Sequence, residues 1–207
     1  MNPSFTITQD TNPSKEIALP APRRHGGLPL MDALDRRRSV RSWSDADISD
    51  QQLADLLWAS FGINNGKPLM GDPGLRTAPT ARNHQEIELY VFLRSGIYRY
   101  DAGKNALTLV REGDHRPKAG MQEFFAQTPL SVCVAADYDK MTAYTPEKKD
   151  FYSAVDAGYV SQNIYLYCAA AGLATVACGR IDRDSLGKLL HLGEGRAILS
   201  HPIGHAT

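Results

Sequence analysis

The sequence predicts one domain that interleaves helices with strands and is not a simple parallel winding. Three observations carry this. Segments with apolar residues at helical steps alternate with short apolar runs of strand length. Residues 96–110 read as a hairpin, Gly96–Tyr100 and Leu107–Val110 around Asp101-Ala102-Gly103-Lys104-Asn105, which a purely parallel sheet does not contain. A chain of 207 residues, 43% hydrophobic and 22% charged, has the length and composition of a single globular domain with a real core.

Residues 1–27 are rich in Pro, Thr and Asn and end in Arg23-Arg24-His25-Gly26-Gly27. Without periodicity they read as an extended arm, which either stays free or lies on another surface, that of a second copy included. The domain proper then spans 28–207. Leu30-Met31-Asp32-Ala33-Leu34 reads as a short helix with Pro29 near its start. Asp45–Ser49 leads into a second helix: Ser49 and Gln52 fit a capping box, Leu53, Leu56, Leu57 and Phe61 form the apolar face, Trp58 extends it, and Gly62 ends it.

A Gly- and Pro-punctuated loop follows over 62–78, long enough to suggest function. Residues 86–93 alternate as a strand and precede the hairpin. Residues 120–127 read as a short helix carrying Phe124 and Phe125. Leu130–Ala136 is a continuous apolar run and so a buried strand, and 137–149 is a polar excursion. The longest helix is expected over 150–171, with Val155, Tyr159, Gln162, Leu166 and Ala170 at helical steps. Its small-residue side, Ala154, Ala157, Gly158 and Ser161, would let another backbone approach. After a Gly172 stop come a strand over Leu173–Cys178, a helix over Asp184–Leu190 introduced by Asp182 or Arg183, and a last strand over Arg196–Ile203.

Net charge is zero, from 23 basic and 23 acidic residues, so no global field recruits nucleic acid. Cys133, Cys168 and Cys178 lie in apolar contexts at wide spacing, which reads as buried reduced thiols in a cytoplasmic protein. The six histidines show no metal-ligand spacing, so no metal is expected. No stretch has the length of a membrane span and no secretory signal is visible.

The densest polar motif is Arg36-Arg37-Arg38-Ser39-Val40-Arg41. Guanidinium forks and a hydroxyl suit a phosphate monoester. The alternative is a solvated basic helix end, favoured by the helix dipole. Some forty residues later comes Arg76-Thr77-Ala78-Pro79-Thr80-Ala81-Arg82-Asn83-His84-Gln85, with a strand-like segment directly after it. Together, Arg37–Arg41 and Pro79–Gln85 resemble the nitroreductase family of flavin enzymes. Thr80 stands where the family pattern Pro-Ser-Ala-x-Asn-x-Gln has serine. Gly96-Ile97-Tyr98-Arg99-Tyr100-Asp101 and Gly158-Tyr159-Val160-Ser161-Gln162-Asn163 are similar to the branch of azoline-peptide dehydrogenases that form thiazoles and oxazoles. The likeness covers roughly residues 28–205.

That resemblance implies an α+β sandwich: a mixed central sheet flanked by helices, in an intertwined homodimer with one FMN in each of two grooves between subunits. It implies that Arg37, Arg38, Ser39 and Arg41 meet the phosphate and ribityl side. Pro79, Thr80, Ala81, Asn83 and Gln85 belong to the loop that reaches the isoalloxazine, from the other subunit. Gln122 stands near a polar contact to the pyrimidine edge, and Cys178 and Gly179 stand where backbone N–H groups approach flavin N5. Relatives add a late basic contact to the phosphate beyond the equivalent of Pro202-Ile203-Gly204; here Arg36 or Arg180 is the replacement. His84, inside the loop motif, would meet a substrate.

The implied activity is NAD(P)H-driven, ping-pong reduction of a small organic acceptor, nitroaromatic or quinone-like. The flavin supplies the reactivity and no side chain acts as acid or base. Two alternatives stay open: a flavin dehydrogenase or oxidase acting on an azoline-like or amine substrate, and a flavin-binding sensor or scaffold dimer with little turnover.

Overall fold

In the computed structural model, which describes residues 6–65 and 74–207, the central element is a seven-stranded sheet. Its strands are β1 (Glu16–Ala18), β4 (Ile87–Phe92), β5 (Gly96–Asp101), β6 (Ala106–Glu112), β7 (Leu130–Ala136), β8 (Leu173–Thr175) and β9 (Arg196–His205), in the order β1-β6-β5-β4-β7-β9-β8. β2 (Ile63–Asn65) and β3 (Leu75–Arg76) form a separate pair. The helices are α1 (Leu30–Arg36), α2 (Asp50–Phe61), α3 (Pro146–Ala171) and α4 (Arg183–Leu190).

The expected α+β sandwich is present, but its sheet is not mixed. Every described pairing is antiparallel. The reason is where the last strand goes. α3 carries the chain from the end of β7 back to the start of β8, so these two strands run the same way. A place is left between them, and β9 fills it running against both.

The period of two along the strands sorts the core onto two faces. Leu89, Val91 and Leu93, with Val132, Val134 and Ala136, point toward α2 and α3 and join Leu53, Leu56, Leu57, Val160 and Ile164. Tyr90, Phe92, Cys133 and Ala135 point the other way, toward α4 and a 3-10 turn over Glu123–Ala126, and join Phe125, Leu186 and Leu190. Both faces are covered, which is why the apolar run of β7 is unbroken in an antiparallel sheet. Each of the Val, Leu, Ile and Phe side chains among them contributes about 1.5–3 kcal/mol on burial.

Local signals act as expected at several ends. Ser49 caps α2 with a complete capping box. Asp182 caps α4 by accepting from Ser185 N–H. Gly172 ends α3 at φ 69°. Other boundaries move. α3 starts at Pro146, four residues early, because Pro is at home in a first turn. Its buried stripe is Ser153, Asp156, Ala157, Val160, Ser161, Ile164 and Cys168, while Val155 and Tyr159 are exposed. The strand expected over 173–178 stops at Thr175, and Cys178 forms an isolated bridge to Ser200. β9 continues through His205, which pairs with Leu173. Of the expected loop over 62–78, residues 66–73 lie outside the described residues.

Residues 6–27 run along the same chain. Thr8 Oγ1 donates to Ile48 O, Ile7 N–H donates to Asp50, β1 adds to the sheet edge, and Arg23 pairs with the buried Asp55 at 2.8 Å.

Candidate active site

α1 ends against the C-terminal half of α3, and its exit segment lies over β8. Val40 N–H donates to Thr175 O, Ser39 Oγ lies 2.9 Å from the Tyr165 hydroxyl, and the Arg37 guanidinium sits 5.2 Å over the Tyr165 ring. The same hydroxyl accepts Ala177 N–H at 2.8 Å. Tyr165 therefore joins the arginine motif to the stretch before Cys178. It is an amphipathic ring, which the sequence shows, with its polar tip at the boundary of the core, which the sequence does not show.

The arginines divide. Arg38 donates to Asp35 O and Arg37 O, the carbonyls at the end of α1, so it takes the helix-end role. Among the described residues none of Arg36, Arg37, Arg38 and Arg41 has a carboxylate partner. Such a concentration of uncompensated cations suits a small anion. Arg36 and Arg38 also line a recess of about 180 Å³ with Val40, Tyr165 and Thr175.

A second strand of evidence extends this patch. Arg41 lies close enough to Cys178 for its charge to oppose the upward push of burial on the thiol. Met121 N–H donates to Arg180 O, which seats Gln122 beside Gly179 and Arg180. Gln122 Oε1 is buried with no hydrogen-bond partner among the described residues, an acceptor awaiting a donor. Residues far apart in sequence, 37–41, 121–122 and 178–180, thus form one strip.

The strip also reassigns one atom. Cys178 exchanges both backbone hydrogen bonds with Ser200, so its N–H is committed to the sheet. The Gly179 N–H has no acceptor among the described residues. A Cβ on Gly179 would meet only Leu199 Cδ2 at 3.9 Å, so the position has room within the chain. The Cys178 thiol itself faces Val176 O, inward. Cys178→Ser is therefore expected to leave turnover within about twofold, a thiol held un-ionised by burial being inert. Steady-state rates compared with wild type check this, and complete loss with cofactor retained would assign the thiol a direct part.

Pro79, Thr80, Ala81, Asn83 and Gln85 lie elsewhere, over the first half of α3. Ala81 N–H donates to Asp156 Oδ2 at 2.7 Å, and Thr80 Oγ1 accepts Gln85 N–H. Gln85 is buried and ties the loop together: its amide donates to Gly74 O and Asn83 Oδ1, and its Oε1 accepts from Arg76. Arg82, Asn83 and Gln85 all sit at positive φ, 52°, 55° and 50°. Three non-glycine residues in that region within four positions is backbone strain of the kind that collects at functional loops. The His84 ring meets Tyr144 edge-on, and its Nε2 is buried without a partner.

The two groups do not meet within one chain. Asp156 and Tyr165 are nine positions apart on α3, so they lie on opposite flanks and roughly 13 Å apart along the axis. Two larger recesses lie apart from the arginine strip: one of about 350 Å³ is lined by Arg24, Trp58 and Tyr167, and one of about 360 Å³ by Arg76, Arg99 and Lys140 reaches the second group at Gln85. Behind the arginine strip, His201 is fully buried between Ser161 and Thr175, with Tyr165 edge-on to its ring. Burial pushes its imidazole down to about 3, so it packs as a neutral residue.

A sequence model described as the nitroreductase family matches residues 34–205. A protein of Methanocaldococcus jannaschii named as a nitroreductase is 26% identical over 187 residues, covering 86% of this chain and 91% of that one. A crystal structure from Ralstonia eutropha JMP134, also named as a nitroreductase, superposes with a TM-score of 0.84 at 35% identity, covering 99% of this chain and 93% of that one. The NADPH:FMN oxidoreductase of Vibrio harveyi, solved with NAD+, shares the fold at a TM-score of 0.59 and 18% identity, covering 85% of this chain and 68% of that one.

Proposed function

The chain belongs to the nitroreductase family, and from that premise we propose that this oxidoreductase binds FMN between two copies of itself, accepts hydride from NAD(P)H and passes it to a small organic acceptor. The observation that carries the reading is the strip of uncompensated arginines that ends at the orphaned Gln122 Oε1. An anionic group is called for at one end of that strip and a ring N–H donor at the other. FMN has a phosphate and a pyrimidine N–H at its two ends, so the residues fit it.

Arg37, Ser39 and Arg41 would hold the phosphate, with Arg36 as the nearer replacement for a late basic contact because it directly precedes them and lines a recess with Val40 and Tyr165. Gln122 would accept from the pyrimidine edge. Gly179 would present its free N–H to the reacting edge, where a fixed backbone dipole favours the charge that develops on reduction. Bound FMN supplies the hydride chemistry, and this chain's part is to bind, orient and tune it. The 79–85 loop of a second copy would complete the wall. On α3 the exposed side chains Phe151, Val155 and Tyr159 recur every four residues, and α1 beside it exposes Leu30, Met31 and Leu34. That apolar surface is the face by which a second copy would dock.

Purified protein is expected to show an oxidised-flavin absorbance band, or to acquire one on adding FMN, and to sediment as a dimer. Gly179→Val is expected to leave the folded chain intact but weaken FMN by tenfold or more, since its side chain has room in the chain and none against a ring. Failure to take up FMN would overturn the reading. NAD(P)H oxidation that requires an acceptor separates the enzyme from a low-turnover binding dimer. Oxidation of a thiazoline peptide without NAD(P)H would point to the azoline-peptide dehydrogenase branch instead.

A further inference from the structure

Beneath the strained 79–85 loop two acidic side chains are buried together. Glu86 is 0% exposed and Asp156 3%. Among the described residues, no other one presents a donor to either Glu86 carboxyl oxygen. Asp156 faces it from α3, within hydrogen-bonding range, and turns its Oδ2 to the Ala81 N–H. Two carboxylates in such a place cannot both be ionised without strong repulsion, whereas one protonated carboxyl donates to the other.

We propose that Glu86 and Asp156 share a single proton, and that this proton is the latch that holds the 79–85 loop on α3. With the proton on Glu86, its hydroxyl donates to Asp156, and Asp156 keeps its charge for the Ala81 N–H. When the proton leaves to solvent, the two anions repel and the Asp156–Ala81 bond is the contact that gives way. The strain at Arg82, Asn83 and Gln85 then favours release. The position makes Glu86 a positioning residue, acting on the loop through Asp156. Its bearing on the cofactor rests on the reading that this loop meets FMN.

Burial first, and the Asp156 hydrogen bond and charge after it, outweigh the opposing pull of Glu86's own backbone N–H and of Lys140 and hold the Glu86 carboxyl up at about 7. The sign follows. The native state keeps a proton that the unfolded chain loses above about 4.5, so the latch is strongest below that pH and is lost as pH rises through about 7. The other charged neighbours are accounted for. Lys140 is shared among Glu88, Asp137 and Gln85 O, Glu88 also pairs with Arg99, and Asp137 offers its N–H to Glu86 O. His84 lies on the loop itself against Tyr144, and His201 titrates far below this window.

The test is amide hydrogen exchange of the 79–86 segment between pH 5 and 9, corrected for intrinsic rates, in wild type, Glu86→Gln, Asp156→Asn and His84→Gln. Wild type is expected to lose protection as pH rises toward about 7, by up to about tenfold per pH unit, and to level off above it. Glu86→Gln should stay protected throughout, because a neutral amide can still donate to Asp156. Asp156→Asn should move the transition to lower pH, which keeps the proposal testable if Glu86→Gln does not fold. A flat wild-type profile would overturn the latch, and so would a dependence that survives Glu86→Gln or disappears in His84→Gln. FMN titrations at pH 6 and pH 8 form a separate arm. Affinity that falls at pH 8 in wild type but not in Glu86→Gln supports the link to the cofactor, and equal affinities sever it. Absence of FMN binding at every pH defeats the functional reading and leaves exchange to decide the latch.

Discussion

Arg41→Ala is expected to weaken FMN binding by roughly ten- to a hundredfold and to leave riboflavin binding within about twofold. Loss of one charge-assisted contact costs about 1.5–3 kcal/mol, and each 1.4 kcal/mol is about tenfold in affinity. Riboflavin has no phosphate, so it reports only on contacts to the ring and ribityl chain. Arg41 is exposed and has no carboxylate partner among the described residues, so its removal leaves no buried charge behind. Paired titrations of apoprotein, with a thermal melt of each variant, provide the check. Equal losses for both flavins would make Arg41 a support of the fold, and no loss for either would return the motif to a solvated helix end.

Arginine clustering could be read from the sequence because four guanidiniums in six residues are unusual whatever surrounds them. The capping box at Ser49, the β5–β6 hairpin and the β7 core strand were legible for a similar reason, since each is written in adjacent residues. What was not legible depends on contacts across the chain. The face of α3 that is buried could not be chosen, because both of its stripes contain apolar residues, and only packing on α2 and the sheet separates Val160 from Tyr159. The commitment of the Cys178 N–H depends on Ser200, and the role of Tyr165 on Ser39 and Ala177. Glu86 and Asp156 appeared as ordinary acids because their burial is set by α3 lying across the start of β4. The mixed sheet was what the family resemblance implied, and where β9 would insert is not a local property.

Phe125→Ala is expected to cost about 3–5 kcal/mol of stability, the range for emptying a buried aromatic site. The ring is fully buried in the core beside α4, and it lies so close to Gly120 that a Cβ there would fall 2.0 Å from it. Phe124 and Trp43 continue the contact, at 5.3 and 5.2 Å between centroids. This aromatic row carries the backbone from Gly120 to Gln122, so the cavity opens directly under the Gln122 seat. Urea unfolding of wild type and variant measures the cost. A loss below about 1 kcal/mol would mean that the neighbours collapse into the space and that the row does not anchor the strip.

The place of β9 has a consequence for biosynthesis. β9 lies between β7 and β8 but follows both in the chain, so a ribosome releases two facing strand edges with nothing between them. The β7 edge is seven buried residues long, the kind of surface that pairs with other chains. It is closed only by contacts of long sequence separation, from Ala136 with Arg196, 60 residues apart, to Leu130 with Ile203, 73 apart. Such contacts form slowly because loop closure comes before any gain from pairing. The nascent protein is thus committed to a late, all-at-once completion of its sheet. Any truncation before residue 196 would release a chain with an open core edge, a natural client for a holding chaperone.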